Sequence, residues 1–211
     1  MNIFALSKSP LKSAQQMINK HVVKMPTETC QMLHTNALYF EYVDAYNNEP
    51  TLKELKQFHK ETNSILMKPA MLNHPSTIWA RQTKDNGTWL YHHGLSLCWE
   101  YTHRYGKEHG SYRRIRAVDE VYLSGDWKQA TPVTIAMDDS YRIENTFSDA
   151  WEFVIQSYRH YYLEGKWRFA EWYKNRRPDW FPNNWYAVKY NEGVRKYNAS
   201  FPKYPMTLLE E

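Results

Sequence analysis

Residues 17–36 read Met-Ile-Asn-Lys-His-Val-Val-Lys-Met-Pro-Thr-Glu-Thr-Cys-Gln-Met-Leu-His-Thr-Asn. Ile18, Val22, Met25, Met32 and Leu33 fall on one side of a 3.6-residue helix. His21, Lys24, Glu28 and Gln31 form an adjoining polar stripe. The spacing therefore predicts a helix that buries one face and carries an imidazole, an ammonium and a carboxylate along the margin of that face. Three such groups can exchange protons where water is partly excluded. The plainer alternative is a boundary histidine beside an exposed Lys24–Glu28 pair worth about 0.3 kcal/mol. Pro26 lies inside the pattern and removes a backbone donor, so a kinked or split helix is expected there.

Working outward, Asn2-Ile-Phe-Ala-Leu6 reads as an apolar arm against the core, and a first helix is expected from about Leu11. Beyond the central helix, Thr51 and Glu54 form a capping box that predicts a helix over 52–67. Pro75 suits the first turn of another helix, expected to stop near Asn86-Gly87. A long helix follows, carrying Leu90, Leu97, Cys98, Tyr101 and Tyr105, with Gly94 on the same face marking a close approach and Gly110 at the end. Helices are also expected over 112–123, over 149–163 with Ser148 as cap, and over 167–174. Residues 126–147 read as an ordered loop. From Arg176 onward Pro and Asn are frequent and no periodicity survives. The expected division is a helical domain over 1–175 and an irregular aromatic-rich tail over 176–211. No period-two run is long enough for a sheet, so the fold class is all-α.

The length suits one large domain or two small ones, with enough chain to bury a core without staples. Two cysteines, Cys30 and Cys98, are too few for a disulfide framework and read as core thiols in a reducing, cytoplasmic compartment. No apolar run reaches a membrane span, and the N-terminus lacks the form of a signal peptide. The net charge of +4 and the pI near 8.9 are compatible with a polyanionic partner. Half of the Trp, Tyr and Phe residues fall in 151–211, under a third of the chain.

The chemical alternatives narrow quickly. Glu100 and His103 have the Glu-x-x-His spacing of di-iron bundles, but the second pair that such sites need is missing, so no metal or other cofactor is expected. No Gly-x-Ser-x-Gly elbow is present, which argues against a serine hydrolase of that type. Residues 158–168 interleave basic side chains with rings, and Arg176 and Arg177 follow. Rings stack on exposed bases and cations take phosphates, although the same composition serves a helix packed on a core.

Three segments together resemble the pyrimidine-dimer DNA glycosylases of the phage endonuclease V type. The first is the Asn-Ile N-terminus leading to a helix with His21 and Glu28 seven residues apart. The second is Asn73-His74-Pro75 followed by the helix containing residues 98–104. The third is the Tyr-rich, Lys-containing segment 158–166. The resemblance implies a compact all-α fold with the N-terminal helix through its middle. It implies a nucleophilic α-amine that attacks the sugar C1′ and forms an imine, assisted by a carboxylate that Glu28 matches, with His21 matching the helix histidine. Asn2 is not the small residue the family exposes after methionine removal, so Met1 is expected to stay, and either the amine is that of Met1, displaced by one residue, or the imine chemistry is absent.

The resulting expectation is a bacteriophage-like enzyme of DNA repair, a hydrolase and lyase acting on double-stranded DNA with an extruded base. Met1, His21, Lys24 and Glu28 are the expected catalytic residues. Asn73, His74, Arg81, His93, Glu100, Tyr161, Tyr162, Lys166, Arg176 and Arg177 are the expected substrate contacts. The alternatives are a nucleobase-modifying or nucleotide-processing enzyme on the same fold, or a non-catalytic DNA-binding accessory protein.

Overall fold

A computed structural model describes residues 1–118 and 123–210. Among them are eight α-helices and no strand: α1 Pro10–Gln16, α2 Asn19–Tyr46, α3 Leu52–Glu61, α4 Pro75–Gln82, α5 Lys84–Tyr105, α6 Tyr112–Arg116, α7 Ala150–Gly165 and α8 Trp185–Ser200. The all-α class follows.

Helix α2 is the centre, packing against α3, α4, α5 and α6. Its predicted apolar stripe is buried: Ile18, Val22, Met25, Met32 and Leu33 are each at most 3% exposed. Each such side chain contributes about 1.5–3 kcal/mol on removal from water, an upper figure because unfolded chains already bury some surface. The N-terminal arm lies in the same core, with Ile3, Phe4, Ala5 and Leu6 all buried. Ser13 pins it: its hydroxyl accepts from the Leu6 N–H and donates to the Phe4 carbonyl. Helices α2 and α5 meet closely at Gly94, where a Cβ would lie 2.7 Å from Thr29 Cγ2. Cys30 and Cys98 are buried free thiols, and burial pushes both up to about 12.

Several boundaries differ from the sequence expectation. Helix α2 runs continuously through Pro26 rather than splitting, and Pro26 is itself buried in the core-facing run. Helix α3 stops at Glu61, not near 67, because Asn63 turns left-handed and residues 67–70 are held along α2 by side chains. The Met67 N–H donates to His34 Nδ1, Gln31 donates to the Lys68 carbonyl, and Thr35 bonds both the N–H and the carbonyl of Ala70. Asn86 and Gly87 open α5 instead of ending α4, since Thr83 caps α5 by accepting from the Asn86 N–H. Gly106, with φ of 70°, ends α5, so Gly110 does not. Asp149, not Ser148, caps α7. Only Tyr112–Arg116 of the expected 112–123 helix is helical among described residues, and residues 119–122 lie outside them.

The chain after α7 also departs from expectation. Over 167–174 only a short 3-10 turn forms, Trp167–Phe169. Its continuation is drawn into the gap between α1 and α2, where the Glu171 carbonyl accepts from Asn19 N–H, the Tyr173 N–H donates to Asn19 Oδ1, and Trp172 Nε1 donates to the Gln16 carbonyl. Residues 185–200, expected to be irregular, form α8. Only Asn191 and Val194 of α8 are fully buried, so no broad apolar stripe betrays it in the sequence. The last residues fold back along α8 through paired amide bonds from Asn191 to Leu209 and Asn198 to Met206. Trp180 Nε1 and Trp185 Nε1 anchor this region by donating to Gln16 Oε1 and the Leu163 carbonyl.

Candidate active site

Glu28 lies in the middle of α2, at the edge of the buried face, with its side chain 17% exposed. Its Oε1 takes Lys24 Nζ at 2.8 Å. Its Oε2 accepts the Asn2 backbone N–H at 3.1 Å and lies 3.9 Å from the α-amino nitrogen of Met1. The arm thus brings the amino terminus onto the carboxylate. Met1 Sδ accepts from Thr77 Oγ1 on α4 at 3.8 Å, which holds the first residue from the other side. His74, the cap of α4, belongs to the same group: burial, followed by the amine's charge, lowers its pKa from the ordinary value, while Glu28 raises it. Its Nδ1 accepts from the Ser76 N–H.

Asn2 positions the amine. Its Oδ1 accepts from the Ile3 N–H and from Tyr158 OH, each at 2.7 Å, and its Nδ2 donates to the Ala136 carbonyl at 2.7 Å. Tyr158 OH in turn accepts from the Ala136 N–H. The loop over 126–147 and helix α7 therefore clamp the arm. Neither Asn2 nor Tyr158 was singled out as a site residue in the sequence. The Asn-Ile opening and the Tyr-rich segment 158–166 each contain one partner, but nothing in the sequence joins the two, which lie 156 positions apart.

His21 is not in a proton line with Lys24 and Glu28. Its Nδ1 is bonded to Tyr162 OH at 2.6 Å, and Phe4 stacks on its ring at 4.1 Å. Burial first, then the charges of Lys166 and Lys24, push it down to about 3, so it is neutral near pH 7. Tyr162 is fully buried and its hydroxyl is held well above the ordinary tyrosine value, chiefly by burial. The bond between Nδ1 and the phenol oxygen therefore joins two neutral groups. The pair is a brace under the arm, and Tyr162 has no surface to offer a base.

The other expected contacts scatter. Tyr161 is half-buried against Tyr141, and Lys166 Nζ lies 4.5 Å over its ring. Asn73 is exposed just before His74. Arg81 donates to the Leu72 carbonyl and stacks on Tyr39. His93 is buried, with Nδ1 bonded to the Pro10 carbonyl and its ring against Trp89, and burial pushes it down to about 4. Glu100 turns inward, where Oε1 accepts from Arg104 Nε at 2.7 Å and Arg176 Nε at 3.1 Å. Arg177 donates to the Pro182 and Asn183 carbonyls. His93 and Glu100 are thus enclosed and bound within the protein, whereas Arg176 is partly and Arg177 fully on the surface. Among described residues no three His, Cys, Asp or Glu side chains are placed to hold a metal ion, and no helix is long and apolar enough to cross a membrane.

These observations define an all-helical protein whose own amino terminus is clamped against a carboxylate at the margin of its central helix. The chain belongs to the pyrimidine dimer DNA glycosylase family: that family's model matches residues 1–113, more than half its length. The matched part holds Met1, Asn2, His21, Lys24, Glu28 and His74, whereas segment 158–166 lies beyond it. No curated protein and no solved structure matches the chain. Membership carries a DNA glycosylase-like function in general, with DNA as partner and DNA repair as setting.

Proposed function

We propose that the chain is a cytoplasmic DNA-repair enzyme that cleaves a glycosidic bond of a nucleotide extruded from duplex DNA and passes through an imine. The observation that carries this reading is the contact of the N-terminal backbone with Glu28, 3.1 Å to the Asn2 N–H and 3.9 Å to the Met1 amine. The amine of Met1 attacks the sugar C1′. The base leaves with the electron pair of the glycosidic bond and takes up a proton. The nitrogen lone pair then breaks the C1′–O4′ bond, which gives a protonated imine between the amine and C1′, and O4′ takes up the proton that Glu28 returns. Glu28 accepts the proton that the amine sheds and offsets positive charge developing on the sugar. Lys24 Nζ holds Oε1 and leaves Oε2 turned toward the amine. Asn2 and Tyr158 hold the nucleophile in place, and the neutral His21–Tyr162 pair braces the arm from below. Such prior fixing of the reacting group replaces the entropy loss of a collision. Extrusion of the base exposes C1′, which a stacked duplex does not present.

The test is borohydride reduction during incubation with duplex DNA bearing an abasic site. The expected result is a covalent adduct that peptide mass spectrometry maps to the N-terminal peptide, lost when the amine is acetylated. Absence of an adduct would overturn the imine chemistry. Salt-dependent binding without turnover would then favour a binding module.

A further inference from the structure

A groove lies away from Glu28, along α3. It is a cleft of about 810 Å³ lined by Lys53, Lys56, His59, Lys60 and Lys68 together with Asn63 and Ser64. Its wall is α3. Leu55 and Phe58 turn inward to a small core with Leu38 and Leu72, which leaves Lys53, Lys56 and Lys60 on the opposite, solvent side. The Thr51–Glu54 capping box fixes the start of the helix. Among described residues none of the four lysines has a carboxylate within ion-pair distance. The acidic residues of the same helix, Glu54 and Glu61, are turned to Thr51 and Gln57 and do not line the cleft, although Lys53 lies within the field of Glu54. The lining of the cleft therefore holds four lysines and no carboxylate.

We propose that this cleft holds the phosphodiester backbone of the DNA strand running away from the Glu28 site. The proposal rests on the DNA-acting reading above and extends it to the substrate's flank. Two observations favour this occupant. The cleft is joined to the site along α2, because Gln31 lies one turn beyond Glu28 and its Nε2 donates to the carbonyl of Lys68 at 2.7 Å. The spacing also fits. Lys53 to Lys60 spans about 10.5 Å along the helix axis at 1.5 Å per residue, close to three nucleotide steps at about 3.4 Å of rise along the duplex axis. Next to Ser64, Ile65 is 93% exposed, an apolar side chain on the loop that closes the cleft. A base edge or sugar can cover such a side chain, whereas free phosphate cannot.

The experiment compares the full chain with a Lys53→Gln, Lys56→Gln, Lys60→Gln variant. A control with Lys107→Gln, Lys196→Gln, Lys203→Gln loses equal charge at exposed positions that do not line the cleft. Affinity for a 20-base-pair abasic duplex is measured from 50 to 200 mM salt. Each phosphate contact carries a slope of about 0.9, so loss of three should flatten the log–log salt dependence by about 2.7. At 0.1 M salt, affinity should fall by about two orders of magnitude or more. The control should keep the wild-type slope. Equal slopes for all three proteins, or equal flattening in both variants, would overturn the proposal while wild-type binding and the borohydride adduct still upheld the function. No duplex binding by the wild type would overturn both. Tripolyphosphate and vesicles of anionic lipid are the remaining probes. Binding of either that is lost in the cleft variant, with duplex affinity unchanged, would assign the lysines to a free polyphosphate or a membrane surface and overturn the DNA assignment.

Discussion

Replacement of Glu28 by glutamine separates chemistry from packing. The amide has the same shape, and its oxygen can still accept the Asn2 N–H that Oε2 now accepts. The Lys24 pair is lost, but Lys24 is 68% exposed, so the pair contributes only about 0.3 kcal/mol after solvent screening. The amine is 3.9 Å away, beyond a good hydrogen bond. The stability cost should therefore stay below about 1 kcal/mol, which for a chain of this size is at most about 4 °C in Tm. The activity cost should be far larger. Removing a positioned proton acceptor costs about 10²- to 10⁴-fold, equivalent to about 2.7–5.4 kcal/mol at 1.36 kcal/mol per decade. The assay is paired on one preparation: thermal midpoint, and single-turnover rate of adduct formation on abasic duplex. A rate within about threefold of wild type would refute the role of Glu28 in the chemistry. A collapse of Tm would show that the carboxylate is structural and that the arm depends on its charge.

Two further outcomes follow from the interior. Burial holds His21 at about 3 and His93 at about 4 in the fold, against about 6.5 when unfolded. The unfolded chain thus binds more protons between these values, and stability falls as pH drops below about 6.5. With both imidazoles largely neutral in the fold and charged in the unfolded chain, the slope should approach about 2.7 kcal/mol per pH unit near pH 5. Urea unfolding that gives the same stability at pH 7 and pH 5 would show that these rings are not sealed from water. At Gly94, an alanine Cβ would meet Thr29 Cγ2 at 2.7 Å and Ile115 Cδ1 at 3.1 Å. Overpacking costs about 1–3 kcal/mol, partly offset by about 1 kcal/mol of helix propensity. Gly94→Ala should lower Tm, Thr29→Ser should restore it in the double variant, and a single variant as stable as wild type would refute the close approach.

The sequence by itself determined the helical class, the central helix and its buried stripe, and the carboxylate at the margin of that stripe. These are legible because helix periodicity and caps are local: Ile18 to Leu33 repeat within a few turns, and Thr51 and Glu54 meet three residues apart. The close approach at Gly94 was legible for the same reason, since a glycine on an apolar helical face marks a partner. Elsewhere local pattern and tertiary demand conflicted. Residues 171–173 read as helix but supply their backbone to Asn19, and residues 67–70 are taken by Gln31, His34 and Thr35. Helix α8 hid because only two of its residues are fully buried. The site itself was decided only in three dimensions. The stripe of His21, Lys24 and Glu28 suggested one proton line, yet the fold divides it, giving His21 to Tyr162 and Phe4 and Glu28 to the amino terminus. Asn2 and Tyr158, which aim that terminus, are distant in the chain. Which polar group faces the amino terminus and which is walled into the core depends on contacts between remote segments, and one-dimensional spacing carries no record of them.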